Sequence, residues 1–205
     1  MKSVIAIVCA AFMSVAFGVG SAAHAAEVVP DALIKSTTDD VLAVIRTNKD
    51  KRTLQDLAEK KIVSNFDFRQ MTQLAVGKHW RNASPAQQKS LEDAFRTLLV
   101  NTYTTSLSVA ATGKETVEMK PVSLKPGDND VVVRTVVRSP GRQPIPVDYR
   151  LSKNADGWKV YDVIVENLSL VTNYRSSFDS EIARSGIDGL IKALETKNRE
   201  LAQST

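Results

Sequence analysis

The sequence predicts an α+β protein, with an antiparallel sheet of four strands flanked along the chain by helices. Apolar residues recur at helical spacing up to about residue 110, alternate with period 2 between about 116 and 166, and then return to helical spacing. Because helices and strands are segregated along the chain rather than alternating, a parallel βαβ architecture is disfavoured. At 205 residues, the chain is long enough for one domain with a full core.

The first 25 residues are predicted to be a cleaved signal peptide. Lys2 is followed by the apolar run "VIAIVCAAFMSVAFGVG", and Ala23-His24-Ala25 offers small residues where a signal peptidase cleaves. An uncleaved membrane anchor is the alternative, but the run is marginal for a span of about 20 residues. We therefore expect one domain over residues 26–205.

Cleavage would remove the only cysteine, Cys9, and would leave His79 as the only histidine. This excludes a cysteine nucleophile, a disulfide framework and an ordinary zinc cluster. Without Lys2, the chain carries 26 basic and 23 acidic residues, with no basic run dense enough for nucleic acid. Weak contacts with anionic surfaces are expected at three basic loop residues: Lys125, Arg142 and Lys153.

Four helices are predicted before the sheet. The first covers "PDALIKSTTDDVLAVIRTN", the second "TLQDLAEKKIVSNFDF", and a short third ends at Gly77. Ser84-Pro85-Ala86-Gln87 forms a capping box with proline at the first helical position. No helix breaker follows before Gly113, which predicts a helix of about 28 residues, or roughly 42 Å.

Four strands with short turns predict an antiparallel meander. The strands are "TVEMKPVSL", "DVVVRTVVRS", "PIPVDYRLSKN" and "GWKVYDVIVE", separated by the turn segments "KPGDN", "PGRQ" and "NADG". Two helices are predicted after the sheet, in "LSLVTNYRSSFDSEIARSG" and "IDGLIKALETKNREL".

The last strand is apolar on both faces. Simple alternation places one set of side chains on each face: Trp158, Val160 and Ile164 against Tyr161, Val163 and Val165. A strand of this kind must be covered on both sides. The long helix is expected to cover one face, and the terminal helices or a ligand to cover the other.

Candidate catalytic groups are sparse. His79 would need a carboxylate to orient it, and no sequence spacing requires one nearby. Asp67 and Asp162 are flanked by aromatic residues, which favours burial, although a helix cap for Asp67 and a cross-strand pair with Arg134 or Arg150 for Asp162 are the simpler readings. Asp148 is expected to face outward. No phosphate loop, dinucleotide fingerprint or nucleophile elbow is present.

Four segments resemble the MlaC family, also called the toluene-tolerance family: "FDFRQMTQLAVGKHW", "SPAQQKSLEDAFRTLLVNTY", "VDYRLSKNADGWKVYDVIVENLSLVTNYRSSF" and "GIDGLIKALETKN". They span about residues 30 to 198 in the family's order. The most specific part is G-W-x-V-Y-D-V-x-V-E followed by S-L-V-x-N-Y-R-x-x-F. Asn167 stands where many relatives carry glycine.

The resemblance implies an NTF2-like curved sheet covered by helices, with an apolar cavity between them. It also implies a monomeric periplasmic carrier without catalytic residues, metal or cofactor, whose cargo is a glycerophospholipid. Its partners would be an outer-membrane lipoprotein complex and the MCE-type subunit of an inner-membrane ABC transporter, in a system that maintains outer-membrane lipid asymmetry.

With such a cavity, the predicted lipid-contacting walls are apolar residues of the long helix and of the strands: Phe95, Leu98, Leu99, Tyr103, Val133, Val147, Tyr149, Leu151, Tyr161, Val163 and Val165. The face of the last strand is chosen by phase with Tyr149. Trp80 and Tyr174 are placed at the cavity mouth. For each of these residues, ordinary core packing is the alternative.

Two other functions are open at this point. One is an NTF2-like enzyme acting on an apolar small molecule, with Asp67, Asp162 or His79 as the base. The other is a structural or adaptor domain without a ligand.

Overall fold

The computed structural model describes residues 29–203. The predicted signal peptide, with Cys9 and His24, lies outside the described residues. The helices are α1 (Pro30–Thr47), α2 (Lys51–Leu57), α3 (Phe68–Val76), α4 (Pro85–Ala110) and α5 (Leu170–Gln203). The strands are β1 (Thr116–Met119), β2 (Asp130–Arg138), β3 (Ile145–Asn154), β4 (Gly157–Val165) and β5 (Leu168–Ser169).

The helix ends follow local chemistry. At the start of α4, the Ser84 hydroxyl accepts from the Gln87 N–H at 3.2 Å, and the Gln87 side chain accepts from the Ser84 N–H at 2.9 Å, which confirms the capping box. Gly77 ends α3 with a φ of 62°, as a C-terminal glycine permits. Gly186 interrupts α5 with a φ of 73°, so the tail bends where two helices were predicted.

The second predicted helix is less regular than expected. After α2, the chain continues through a π-helical segment, Ala58–Ile62, and a 3₁₀ turn, Val63–Asn65. A further 3₁₀ segment, Gly77–Asn82, leads from α3 to α4.

The described strands form one antiparallel sheet in the order β1-β2-β3-β4-β5. The α+β class and the meander are therefore confirmed, but the predicted number of four strands is wrong because the short β5 adds a fifth. β1 is also shorter than "TVEMKPVSL", since it ends at Met119. Pro121 cannot donate a ladder hydrogen bond beyond it.

A β-bulge in β4 changes which side chains share a face. Leu151 pairs with Val160 and Arg150 pairs with Asp162, so Tyr161 is an extra residue without a partner on β3. Simple alternation across β4 is therefore wrong. Val160 shares the face of Val163, whereas Tyr161 turns to the other face, where the Arg150 guanidinium lies 5.0 Å from the centre of its ring.

We call the apolar side of the sheet the inner face and the opposite side the outer face. The register assigns these described residues to the inner face: Val131, Val133, Thr135, Val137, Ile145, Val147, Tyr149, Leu151, Val160, Val163, Val165 and Leu168. The outer face carries Arg134 and Asp148, which pair at 3.6 Å, together with exposed Arg150. Asp148 faces outward, as predicted. The sheet therefore has one largely polar face, which alternation across β4 did not indicate.

The described buried apolar residues form three clusters rather than one. A helical cluster joins α3, α4 and α5 with Tyr161, and a sheet cluster joins Ile34 of α1 with Val133, Leu151, Trp158 and Val160. A third, small cluster contains Ile45, Leu54 and Ala111. α1 lies against β1 and β2, whereas α4 packs mainly on α5, α2 and α3. A domain usually has one contiguous core, so the separation between α4 and the sheet is notable.

Candidate functional site

The inner face is closed at one end and open at the other. Toward the β3–β4 turn, the paired residues Leu151 and Val160 are 0% and 1% exposed. Two rows further along, Val147, Val165 and Leu168 lie side by side on β3, β4 and β5, and they are 9%, 36% and 75% exposed. Within this row, the exposure of the apolar side chains rises from β3 toward the β5 edge of the sheet.

Three segments border this open end. The first is the β2–β3 hairpin, where Ile145 is 37% exposed and Arg142 donates to the Ala110 carbonyl at the end of α4 at 3.1 Å. The second is the turn between β4 and β5, which presents Leu168. The third is the C-terminal half of α4 with Tyr103. These segments carry the exposed apolar side chains at this end of the inner face, and we call this end the opening.

Among the predicted wall residues on α4, β3 and the start of α5, only three have a polar side-chain atom: Tyr103, Tyr149 and Tyr174. Tyr103 is 42% exposed as a residue, yet enough of its phenol is buried to raise its pKa to about 12, with a smaller contribution from nearby Tyr174. Burial also raises the pKa of Tyr174, and it raises the pKa of Tyr149 to about 12 despite an opposing hydrogen bond with Thr135. All three remain neutral at physiological pH, as an apolar ligand requires.

The predicted wall residues of α4 belong to the helical cluster. Phe95, Leu98 and Leu99 are buried there, and Phe95 meets Tyr174 edge-on at 5.0 Å between ring centres. Tyr174 follows β5 closely in the chain, and its place at the cavity mouth stays a prediction. The lipid contacts predicted for these residues stay predictions.

Trp80 lies in the 3₁₀ segment just before α4. It is buried in the helical cluster, with the Arg69 guanidinium 5.5 Å from its ring centre, and its carbonyl accepts from the Gln88 side chain near the start of α4. The opening borders the other end of this helix, whose 26 residues span about 39 Å. The place of Trp80 at a cavity mouth stays a prediction.

The structure brings most of the predicted strand residues together, and it adds others. Val133, Val147, Tyr149, Leu151, Val163 and Val165 share the inner face, whereas Tyr161 does not. The sequence analysis missed Val160, because the bulge depends on pairing with another strand. It also missed Ile145 and Leu168, because hydrophobic periodicity does not define the end of the hairpin or the two-residue strand β5.

His79 has an orienting carboxylate after all. Its Nε2 lies 2.7 Å from Oδ1 of Asp179 on α5, which also pairs with Lys78 at 3.1 Å. Hydrogen bonds from His79 and then Lys78 lower the pKa of Asp179. The pair joins the 3₁₀ segment before α4 to α5, at the end of α4 that is remote from the opening.

The aspartates proposed as alternative bases are used structurally. Asp67 caps α3 by accepting from the Gln70 N–H at 2.7 Å, as its simpler reading predicted. Asp162 is 3% exposed and lies opposite Arg150 in the register, but its hydrogen bonds come from the Ser169 hydroxyl at 2.7 Å and the Val171 N–H at 3.2 Å. It therefore anchors the start of α5.

Other features of residues 29–203 do not add a site. Two surface depressions of about 410 and 360 Å³ lie along α5 and beside α4, and neither is lined by a predicted wall residue. In this range no group of three or more His, Cys, Asp or Glu side chains is placed to hold a metal ion. None of the described helices is both long and apolar enough to cross a membrane.

Known proteins resemble this chain over most of its length. The MlaC protein family model matches residues 35–196. An intermembrane phospholipid transport system binding protein MlaC from Haemophilus influenzae is 23% identical over 179 residues, which cover 83% of this chain and 82% of that protein. The structure of a phospholipid-binding protein from Ralstonia solanacearum, solved in complex with a phospholipid, aligns with a TM-score of 0.75 and 37% identity, covering 84% of this chain and 98% of that one. The chain therefore belongs to the MlaC family.

Proposed function

We propose that this protein binds a glycerophospholipid with its acyl chains against the inner face of the sheet and carries it across the periplasm. The observation that carries the proposal is the row of Val147, Val165 and Leu168, where apolar surface emerges continuously from a buried interior. The phospholipid named for the Ralstonia relative supports the same ligand class.

The inner face has the dimensions that acyl chains need. From Leu151 to Ile145, β3 advances six residues, or about 20 Å at roughly 3.3 Å per residue. One leaflet of a bilayer has a hydrocarbon thickness of about 15 Å, half of the roughly 30 Å core. Acyl chains therefore fit along the sheet with the glycerol at the open end.

Energetics require such a surface. Two acyl chains contain on the order of 30 methylenes, and exposing them to water would cost roughly 25 kcal/mol at about 0.8 kcal/mol each. A carrier that shields the acyl chains from water avoids most of this cost, because the lipid moves from an apolar membrane to an apolar binding surface. The net transfer free energy stays small, which permits release, and no catalytic group is needed.

The finer assignment is also part of the proposal. The predicted signal peptide supports a periplasmic location, and the name of the Haemophilus relative supports a role between membranes. We infer that an outer-membrane lipoprotein complex and an MCE-type ABC transporter subunit exchange the lipid with this protein, so that the system maintains outer-membrane lipid asymmetry.

Identification of the copurifying ligand tests the function. Mass spectrometry of an organic extract of the mature protein should show phospholipid at about one molecule per chain. A protein that is empty as purified and takes up no added phospholipid contradicts the proposal. Conversion of an added apolar substrate by the His79–Asp179 pair would favour the enzymatic alternative.

A further inference from the structure

Three basic side chains meet beside the open end of the inner face. Lys49 Nζ donates to the Ala111 carbonyl at 2.7 Å, Arg142 Nη1 to the Ala110 carbonyl at 3.1 Å, and Arg46 Nη2 to the Glu115 carbonyl at 3.4 Å. They come from the end of α1, the following loop and the β2–β3 hairpin. We call Arg46, Lys49 and Arg142 the cationic collar.

The collar binds carbonyl groups rather than carboxylates. Within residues 29–203, none of its three members lies within ion-pair distance of an acidic side chain. Glu115 is nearby but buried, and its oxygens accept from Thr112, Gly113 and Ser139. Asp50, next to Lys49, accepts from Thr53. The three cations therefore form no described ion pair, and the carboxylates nearest to them accept hydrogen bonds from other groups.

Part of this arrangement has a structural explanation. Cations at the C-terminus of a helix satisfy its last carbonyls and interact favourably with its dipole. However, each member uses one described hydrogen bond, whereas an ammonium has three donors and a guanidinium has five. Donors remain for a second, anionic partner.

The collar lies where the polar end of a bound lipid is expected. Arg142 lies in the hairpin that joins Val137 of β2 to Ile145 of β3, and these two residues form the last row of the inner face. Acyl chains that lie along this face with their ends toward Leu151 place the glycerol phosphate at the hairpin. Guanidinium and ammonium groups are the side chains that bind phosphate oxygens most strongly.

We propose that the cationic collar binds the phosphate of the carried phospholipid and so favours phosphate-bearing lipids over neutral lipids with the same acyl chains. This inference rests on the proposed function, and the shared chemistry is that of a phosphate oxyanion. We assign the phosphate to the lipid rather than to free phosphate because the apolar opening lies beside the collar.

Paired binding measurements test the inference. Delipidated full-length mature protein is titrated with fluorescent phosphatidylglycerol and with fluorescent diacylglycerol that carries the same acyl chains. The wild-type protein should bind phosphatidylglycerol more tightly. Arg142→Gln and Lys49→Gln should each weaken phosphatidylglycerol binding by about tenfold while leaving diacylglycerol binding unchanged.

Arg138→Gln is the matched control. Arg138 lies at the same end of the sheet but on the outer face, where it pairs with Glu118 at 3.0 Å. Losing its charge should change neither affinity. Equal losses in Arg138→Gln and Arg142→Gln would show a general charge effect and overturn the inference, as would equal losses for the two lipids. If the wild-type protein binds neither lipid, the proposed function itself fails.

Two further arms do not depend on the folding of a variant. The wild-type preference for phosphatidylglycerol should decline as sodium chloride is raised, because exposed charges are screened, and a salt-independent preference overturns the inference. Inorganic phosphate at the concentration of the lipid should leave the preference for phosphatidylglycerol intact. If inorganic phosphate abolishes this preference, the collar is a site for free phosphate instead.

Discussion

Val163 and Val132 are the same residue type on opposite sides of the sheet. Val163 lies on the inner face, where it pairs with Tyr149 of β3. Val132 lies on the outer face, where it pairs with Arg150 of β3. Both are half-buried. If lipid lies against the inner face, a polar residue at position 163 meets an acyl chain, whereas a polar residue at position 132 does not.

Val163→Asn should therefore lose copurifying phospholipid while keeping most of its thermal stability. Asparagine against an acyl chain leaves an unpaired polar group, at a cost of about 1–3 kcal/mol to the lipid complex. In the lipid-free protein, water from the open end can solvate the amide. Lipid occupancy by mass spectrometry and the Tm of the delipidated protein measure the two effects separately.

Val132→Asn is the control for that substitution. It should retain lipid and lose only the modest strand propensity of valine, within about 1 kcal/mol. Retention of lipid by both variants, with equal destabilisation, would mean that the inner face at Val163 is ordinary core. Loss of lipid from Val132→Asn alone would mean that the ligand lies on the outer face.

At the residue scale, sequence reasoning succeeded where the cause is local. The Ser84 capping box and Gly77 are set by neighbouring residues, and both are confirmed. Tyr161 was assigned to the wrong face because the bulge depends on how β4 pairs with Arg150 and Leu151 of another strand. Asp179 was not connected with His79 because 100 residues separate them.

Among the elements, the β4–β5 turn carries an unusual backbone. Glu166 and Asn167 both have positive φ values, 50° and 67°, and they connect the paired residues Val165 and Leu168. Two-residue hairpin turns with positive φ at both central positions favour Asn-Gly. Glycine in place of Asn167 would fit this geometry.

Asn167→Gly should stabilise the protein by up to about 1 kcal/mol, because glycine adopts positive φ without a steric cost. Chemical denaturation measures the change. Asn173→Gly is the matched control, since Asn173 lies inside α5. There the same substitution should destabilise by a few tenths of a kcal/mol. If Asn167→Gly lowers the free energy of unfolding, the contacts of the Asn167 side chain stabilise the protein by more than its backbone strain destabilises it.

The connection from α4 to β1 depends on Glu115. Burial alone would raise its pKa, but hydrogen bonds from Thr112 and Gly113 outweigh burial and lower the pKa from 4.5 to about 2. A depressed carboxyl pKa stabilises the folded state above the unfolded-state pKa. That contribution, at most about 3 kcal/mol, is lost as the pH falls from about 4.5 to about 2.

Glu115→Gln should destabilise the protein by about 1–3 kcal/mol at neutral pH, because the buried donors lose a charged acceptor. The difference from wild type should shrink as the pH approaches 2, where about half of the wild-type carboxyl groups are protonated. Glu118→Gln removes an exposed charge paired with Arg138 and should cost no more than about 1 kcal/mol. A pH-independent deficit in Glu115→Gln would contradict the titration argument.

Element types were more predictable than element ends. The apolar stripe and capping signals located α4, and the alternating segments located β2, β3 and β4. The second helix was predicted as regular, but its π and 3₁₀ segments reflect tertiary packing that periodicity does not describe. β5 has only two residues, which is too short for a pattern to detect.

At the scale of the whole molecule, the described apolar residues are divided between a helical cluster and a sheet cluster, with partly exposed apolar surface at the open end. Composition cannot distinguish a ligand-binding interior from a solid one, since core and cavity walls use the same residue types. The resemblance of the sequence to a lipid-binding family supplied that expectation, and the exposure of Val165 and Leu168 supports it structurally.

Lipid removal should therefore loosen the two clusters from each other without unfolding either. A ligand that binds only the folded state stabilises it by about 2.7 kcal/mol at a free concentration one hundred times its Kd. For a chain of this size, that corresponds to a Tm higher by several degrees in the loaded protein.

Hydrogen exchange should then show lower protection after delipidation in β2, β3 and β4 and in the C-terminal half of α4. The backbone around the surface contact between Gln87 of α4 and Asp188 of α5 should be unchanged, because it lies at the start of α4, far from the opening. A uniform loss of protection would instead indicate a single cooperative core, and no loss would show that lipid does not occupy the space between α4 and the sheet.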